Sequence, residues 1–130
     1  MRILLDTCCA IWAISDPAQI SSSAADALCA RENDVMVSPI SCAEVACLVD
    51  RGRLTLTRHW KPWFNDNMET NGWQVATIDL PVIQEAYSLP GEFHRDPADR
   101  ILVATARLLR CPLLTADRKI LDYPHVQTIW

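Results

Sequence analysis

Short apolar runs alternate with stretches of helical period along the whole chain. "RILLD" at 2–6 reads as a buried strand ending at Asp6, and "TCCAIWAIS" after it as a helix stopped by Asp16-Pro17. "SSSAADALCARE" is a second helix opened by serine caps, and "DVMVS" is the next strand, closed at Ser38-Pro39. "SCAEVACLVDRG" follows as a helix with Ser41 at its N-cap and Gly52 at its stop. A further helix spans 58–71 despite Pro62, "WQVATI" is a third strand, and "LPVIQEAYSL" is a short helix after Asp79. Asp96 then caps a helix whose first residue is Pro97, Cys111-Pro112 ends it, "LLTA" is a strand, Asp117 opens a short helix, and "VQTIW" is the last strand. Strands that are continuous apolar runs, separated by helices, indicate a parallel sheet covered on both faces. The expected fold class is a three-layer α/β/α domain with a central parallel sheet.

The chain's 130 residues suit one domain, 1–130, large enough to bury a core without disulfides or structural metal. Half of them are hydrophobic, and no low-complexity tract or internal repeat interrupts the pattern. The apolar start carries Asp6 and lacks a basic region or cleavage site, so it does not read as a signal peptide. No uncharged run approaches the ~18 residues of a membrane span, so no membrane partner is expected. The six cysteines have no C-x-x-C spacing and fall in apolar helical patterns, as small hydrophobes of a reduced, cytoplasmic chain. The net charge of −4 argues against gripping nucleic acid by charge alone. Acids gathered at one site would leave the remaining surface near neutral, and "RGR" at 51–53 and "RHWK" at 58–61 could then meet phosphates.

Where the acids fall changes the picture. Ligands of open parallel sheets bind outside the C-terminal ends of the strands, and Asp6, Glu44, Asp99 and Asp117 map there. Each has a local explanation. Asp6, Asp96 and Asp117 can be N-caps, "SCAE" at 41–44 can be a capping box with Glu44 reaching back to the Ser41 amide, and Asp99 suits the helix dipole. Four carboxylates meeting at one edge would repel each other, which calls for something positive among them. A hard divalent cation, Mg²⁺ or Mn²⁺, prefers such oxygen ligands and keeps several waters. Zinc is disfavoured, because His59, His94 and His125 are scattered and match no zinc spacing. Metal held by carboxylates at an open edge serves phosphodiester hydrolysis.

"LLDT" at 4–7, "SxxE" at 41–44, "DRILVATA" at 99–106 and "LLTAD" at 113–117 together resemble the PIN-domain ribonucleases, most closely the VapC-like toxins of bacterial toxin–antitoxin pairs. The likeness spans essentially the whole chain, "GRL" at 52–54 and "LPGEFHRDPADR" at 89–100 included. It implies a PIN-like fold and an Mg²⁺- or Mn²⁺-dependent endoribonuclease whose acidic site matches Asp6, Glu44, Asp99 and Asp117, with Thr115 as a supporting hydroxyl. It also implies an RNA substrate, a homodimer, and inhibition by a small antitoxin protein whose tail fills the active-site groove. Asp96 departs from that pattern as a fifth carboxylate. Arg95, Arg100 and Arg118 flank the acids and are candidates to hold neighbouring phosphates, or to pair with those acids.

Trp60 and Trp63 sit three apart beside basic residues and could stack bases, although burial accounts better for aromatics at helical spacing. Trp12, Trp73 and Trp130 read as core or dimer interface. A phosphatase using Asp6 as nucleophile is disfavoured because Cys8 occupies the second position of the D-x-D arrangement. A receiver domain would want paired acids at the first strand and a lysine after the last. A catalytically silent PIN-like binding or scaffold module is the alternative from another class, and the full acid set argues against it.

Overall fold

A computed structural model describes residues 1–130. Five strands, β1 (Arg2–Leu5), β2 (Asp34–Val37), β3 (Gln74–Val75), β4 (Leu113–Leu114) and β5 (Thr128–Ile129), pair in the order β3-β2-β1-β4-β5, every pair parallel. Seven helices connect and cover them: α1 (Thr7–Ser15), α2 (Ser22–Cys29), α3 (Pro39–Asp50), α4 (Trp60–Asn71), α5 (Leu80–Ala86), α6 (Pro97–Leu109) and α7 (Arg118–Leu121). The expected parallel α/β/α architecture is what forms.

β1 is central because its apolar run can be buried on both faces. Ile3 and Leu5 point to one side, with Cys9, Ala24, Val35, Val37 and Leu114, under α1, α2 and α4. Leu4 points to the other, with Leu102, Val103, Leu113, Ile120 and Tyr123, under α6 and α7. This is the period-two alternation of a strand with no solvent face. α5 reaches the core through α6, its Val82 and Ala86 meeting Ile101 and Ala104.

The later strands are shorter than their apolar patterns. β3 pairs over Gln74–Val75, with Ala76 N–H adding one bond to Val37 O at 2.9 Å, because its partner β2 turns away at Ser38 into α3. Pro62 does not break α4: it lies in the first turn, where its missing N–H leaves no intrahelical bond unmade. Trp63 is buried and Trp60 half-buried, so the first of these faces the core as burial predicts.

Serine usage at α3 differs from expectation. The N-cap is Ser38, whose hydroxyl accepts from Ile40 N–H at 3.2 Å, with Pro39 at the first helical position. Ser41 is already inside the helix and fully buried. The capping box at 41–44 therefore does not form, and Glu44 is not engaged by the helix end.

α6 ends at Arg110, the one non-glycine residue with positive φ, at 53°. The left-handed turn lets Cys111 N–H reach back to Ala106 O before Pro112 stops the helix. Arg110 is exposed and its side chain forms no ion pair. Arg110→Gly should therefore stabilise the fold by about 0.5–1 kcal/mol, the strain of a Cβ at this turn outweighing the chain entropy glycine adds to the unfolded state. Urea unfolding at fixed m-value measures it.

Candidate active site

The C-terminal ends of β1 and β4, with the first turns of α1, α3 and α6 around them, border a groove of about 860 Å³. Asp6, Glu44, Asp96, Asp99 and Asp117 all line it, alongside Trp12, Ile40, Cys47, Leu48 and Arg51. The four predicted site acids are thus brought to one place. They do not form a ready chelate, since no three side chains of acid, histidine or cysteine type surround a common ion position.

Asp6 is the most confined. Its backbone N–H donates to Leu114 O at 3.0 Å, extending the β1–β4 pairing by one residue. One carboxylate oxygen caps α1 by accepting from Cys8 N–H at 2.9 Å, and the other accepts from the Thr115 hydroxyl at 2.5 Å. Thr115 is fully buried, and its oxygen also accepts from Asp117 N–H at 3.0 Å. One hydroxyl thereby ties the end of β1 to the turn after β4. Burial, then the nearby Asp117 charge, raises the Asp6 pKa, against the two hydrogen bonds that lower it.

Glu44 is held by a relay that sequence patterning missed. Its carboxylate accepts from the Thr7 hydroxyl at 2.5 Å, and Thr7 Oγ1 lies 2.8 Å from Ser41 Oγ, both hydroxyls buried. Thr7 has one O–H proton, which goes to the carboxylate, so Ser41 is the donor to Thr7. Ser41, through its hydroxyl and not its amide, and Thr7 of the neighbouring helix fix the carboxylate from inside the protein. The only trace in the sequence was a hydroxyl directly following Asp6. Burial foremost, then Asp6 and Asp96, pushes the Glu44 pKa up.

Asp99 sits in the first turn of α6 with a half-buried His94 beside it, Nε2 to Oδ2 at 3.0 Å. Its pKa is raised to about 7, by burial first and then by the charges of Asp96, Asp117, Asp6 and Glu44. Asp96 acts from the same helix start, but Asp117, Asp6 and Glu44 reach Asp99 from three other elements, which is the electrostatic signature of their gathering. Asp96 and Asp117 are also local caps, accepting from Ala98 N–H and Lys119 N–H, both at 2.9 Å.

The flanking arginines divide. The Arg100 guanidinium donates to three backbone carbonyls, of Ala86 at 2.9 Å, Phe93 at 2.7 Å and His94 at 2.9 Å, and so pins the 87–96 loop. Arg118 stands 3.7 Å from Asp122 at the exposed surface, and Arg95 is exposed without an ion pair. Arg51, at the groove, pairs with no acid.

An all-oxygen donor set, crowded enough for its members to raise one another's pKa values, fits a hard divalent cation such as Mg²⁺ in its chemistry, although no three of the side chains converge on one ion position. Carboxylates, two of them fixed by buried hydroxyls, thus line a groove at the end of a parallel sheet of PIN-like α/β/α form. The chain belongs to the PIN-domain family, whose model matches residues 3–126. Ribonuclease VapC22 of Mycobacterium tuberculosis is 31% identical over 132 residues, covering 98% of each chain. Among solved structures, VapBC2 of Rickettsia felis, bound to a DNA fragment from its promoter, superposes with a TM-score of 0.68 at 18% identity, over 98% of this chain and 97% of the other. A toxin–antitoxin complex from Klebsiella pneumoniae gives 0.66 at 22% identity, over 95% and 94% of the two chains. At those identities the structural likeness is one of fold.

An acid whose folded pKa lies above its unfolded value binds a proton more readily in the folded state, so stability falls as pH rises between the two values. For Asp99 that window runs from 3.8 to about 7, and Asp6 and Glu44 act in the same sense. In EDTA the protein should lose stability from pH 5 to pH 8. Asp99→Asn should flatten that loss and be more stable than the parent at pH 8 by about 1–2 kcal/mol, allowing for water in the open groove. Chemical denaturation at the two pH values checks both.

Proposed function

We propose that residues 1–130 form a single nuclease domain that hydrolyses RNA phosphodiester bonds with Mg²⁺ or Mn²⁺, as the toxin of a toxin–antitoxin pair. The observation that carries the reading is the meeting of Asp6, Glu44, Asp99 and Asp117, from four separate elements, in one groove. Kinship to a VapC ribonuclease over nearly the full chain supports RNA as substrate, and fold likeness to toxin–antitoxin assemblies supports an antitoxin partner. Homodimerisation and a cytoplasmic location complete the proposal. No helix is long and apolar enough to cross a membrane.

Asp6, Asp99 and Asp117 would hold the ion, directly or through its waters. When bound, such an ion supplies an activated water and stabilises the oxygens of an in-line displacement. Glu44 would bind the ion or orient the attacking water, its own carboxylate fixed by the Ser41–Thr7 relay. Thr115 keeps Asp6 and Asp117 in register. Arg51 and Arg95 form no ion pair and are available to phosphates of the RNA strand, and Arg118, held only by an exposed pair with Asp122, could join them. Arg100 is occupied by the 87–96 loop and serves the site by holding it.

The separation of the acids favours, by itself, the alternative of a silent binding module. Titration with Mn²⁺ decides: a rise in melting temperature supports the nuclease, and none supports the module. Asp6→Asn keeps the α1 cap, since asparagine caps as well as aspartate. With its amide N–H donating to Thr115 Oγ1 in place of the lost acceptor, it should fold while cleaving RNA at least about 100-fold more slowly, circular dichroism and melting confirming the fold. Full cleavage by the folded variant would remove Asp6 from the chemistry.

A further inference from the structure

Only one buried side-chain nitrogen or oxygen in the molecule has no hydrogen bond: Nε2 of His94. It lies at the groove's edge, 3.0 Å from Asp99 Oδ2, near enough to bond but misaligned. A buried N–H left unmade costs about 1–3 kcal/mol, so the orphan needs an account.

The ring is firmly placed. Arg100 holds the carbonyls of Phe93 and His94, and the Phe93 ring lies 4.4 Å from the imidazole and 4.8 Å from Tyr123. Nδ1 accepts from Asp96 N–H at 3.4 Å, which puts the proton of the neutral ring on Nε2, facing Asp99. A donor is thus fixed from behind and set beside the Asp99 carboxylate, which lines the groove. A small turn of that carboxylate would give one oxygen to the ring and leave the other for the groove.

Resting on the metal-dependent reading above, we propose that His94 is the positioning residue of Asp99: its Nε2–H holds one carboxylate oxygen so that the other faces the cation. Neighbours of this kind orient ligating groups throughout metal sites, and their loss commonly costs 10–100-fold in metal affinity. His94 does not touch the reacting atoms. Arg100 acts one step further back, by fixing the loop that carries the ring.

Two substitutions separate this role from a local one. In His94→Gln the side-chain amide extends to where Nε2 stands and keeps a donor toward Asp99. In His94→Asn the side chain can still serve the Asp96 N–H but is too short to reach Asp99. With Mn²⁺ as probe and thermal shift as readout, the Mn²⁺ concentration for half-maximal stabilisation should rise about 10–100-fold in His94→Asn and far less in His94→Gln. Melting in EDTA, close to the parent for both, establishes that they fold. A normal parent response left unchanged by His94→Asn would overturn the inference and leave the metal reading standing. Equal loss in both variants would also overturn it, since a donor at the Nε2 position would then be irrelevant. A parent that does not respond to Mn²⁺ would overturn the metal reading and this inference together.

Discussion

The hydrogen bond from Thr115 to Asp6 is the joint on which the site depends. Asp6 is at once the last residue in β1's pairing with β4, the cap of α1 and a wall of the groove. Thr115 accepts the Asp117 amide with the same oxygen that donates to Asp6. Two loops more than a hundred residues apart in sequence are locked by one buried hydroxyl. Such a bond is stronger for being charge-assisted and shielded from water. Without it, burial and like charges would favour protonating Asp6 or moving it outward.

A common arrangement runs through the groove. Two of its three perturbed carboxylates accept from a threonine hydroxyl, Asp6 from Thr115 and Glu44 from Thr7, and the third, Asp99, has the His94 ring 3.0 Å away without a hydrogen bond. A lysine or arginine in those places would pair the charge fully and fill the position a cation would take. Hydroxyl donors orient a carboxylate and leave its charge uncompensated, while burial first, and the neighbouring acids after it, raises the pKa values. The groove is thereby kept electronegative, and the positive side chains near it are spent elsewhere, as Arg100 is on carbonyls, or left at its margin, as Arg51 is.

The local signals in the chain were strong where strand gives way to helix. Asp6, Asp79, Asp96 and Asp117 cap the helices they precede, and Pro97 opens α6 as its fixed φ favours. The misreading of Ser41 has a simple cause. Ser38 and Ser41 are both good caps, Pro39 suits either frame, and only packing shows that the second serine is buried against Thr7. No zinc spacing contains His94, yet its neighbour is an aspartate five residues on, reached through a loop whose course depends on Arg100.

What the sequence by itself determined was the alternation of buried strands and covering helices, and with it the edge where the acids had to gather. Those follow from periodicity and capping, which act over a few residues. Which hydroxyl meets which carboxylate, which arginine is free, and how far apart the acids stand were decided by tertiary structure alone. Such contacts join residues tens of positions apart, and side-chain hydrogen bonds at that separation leave no period in the chain.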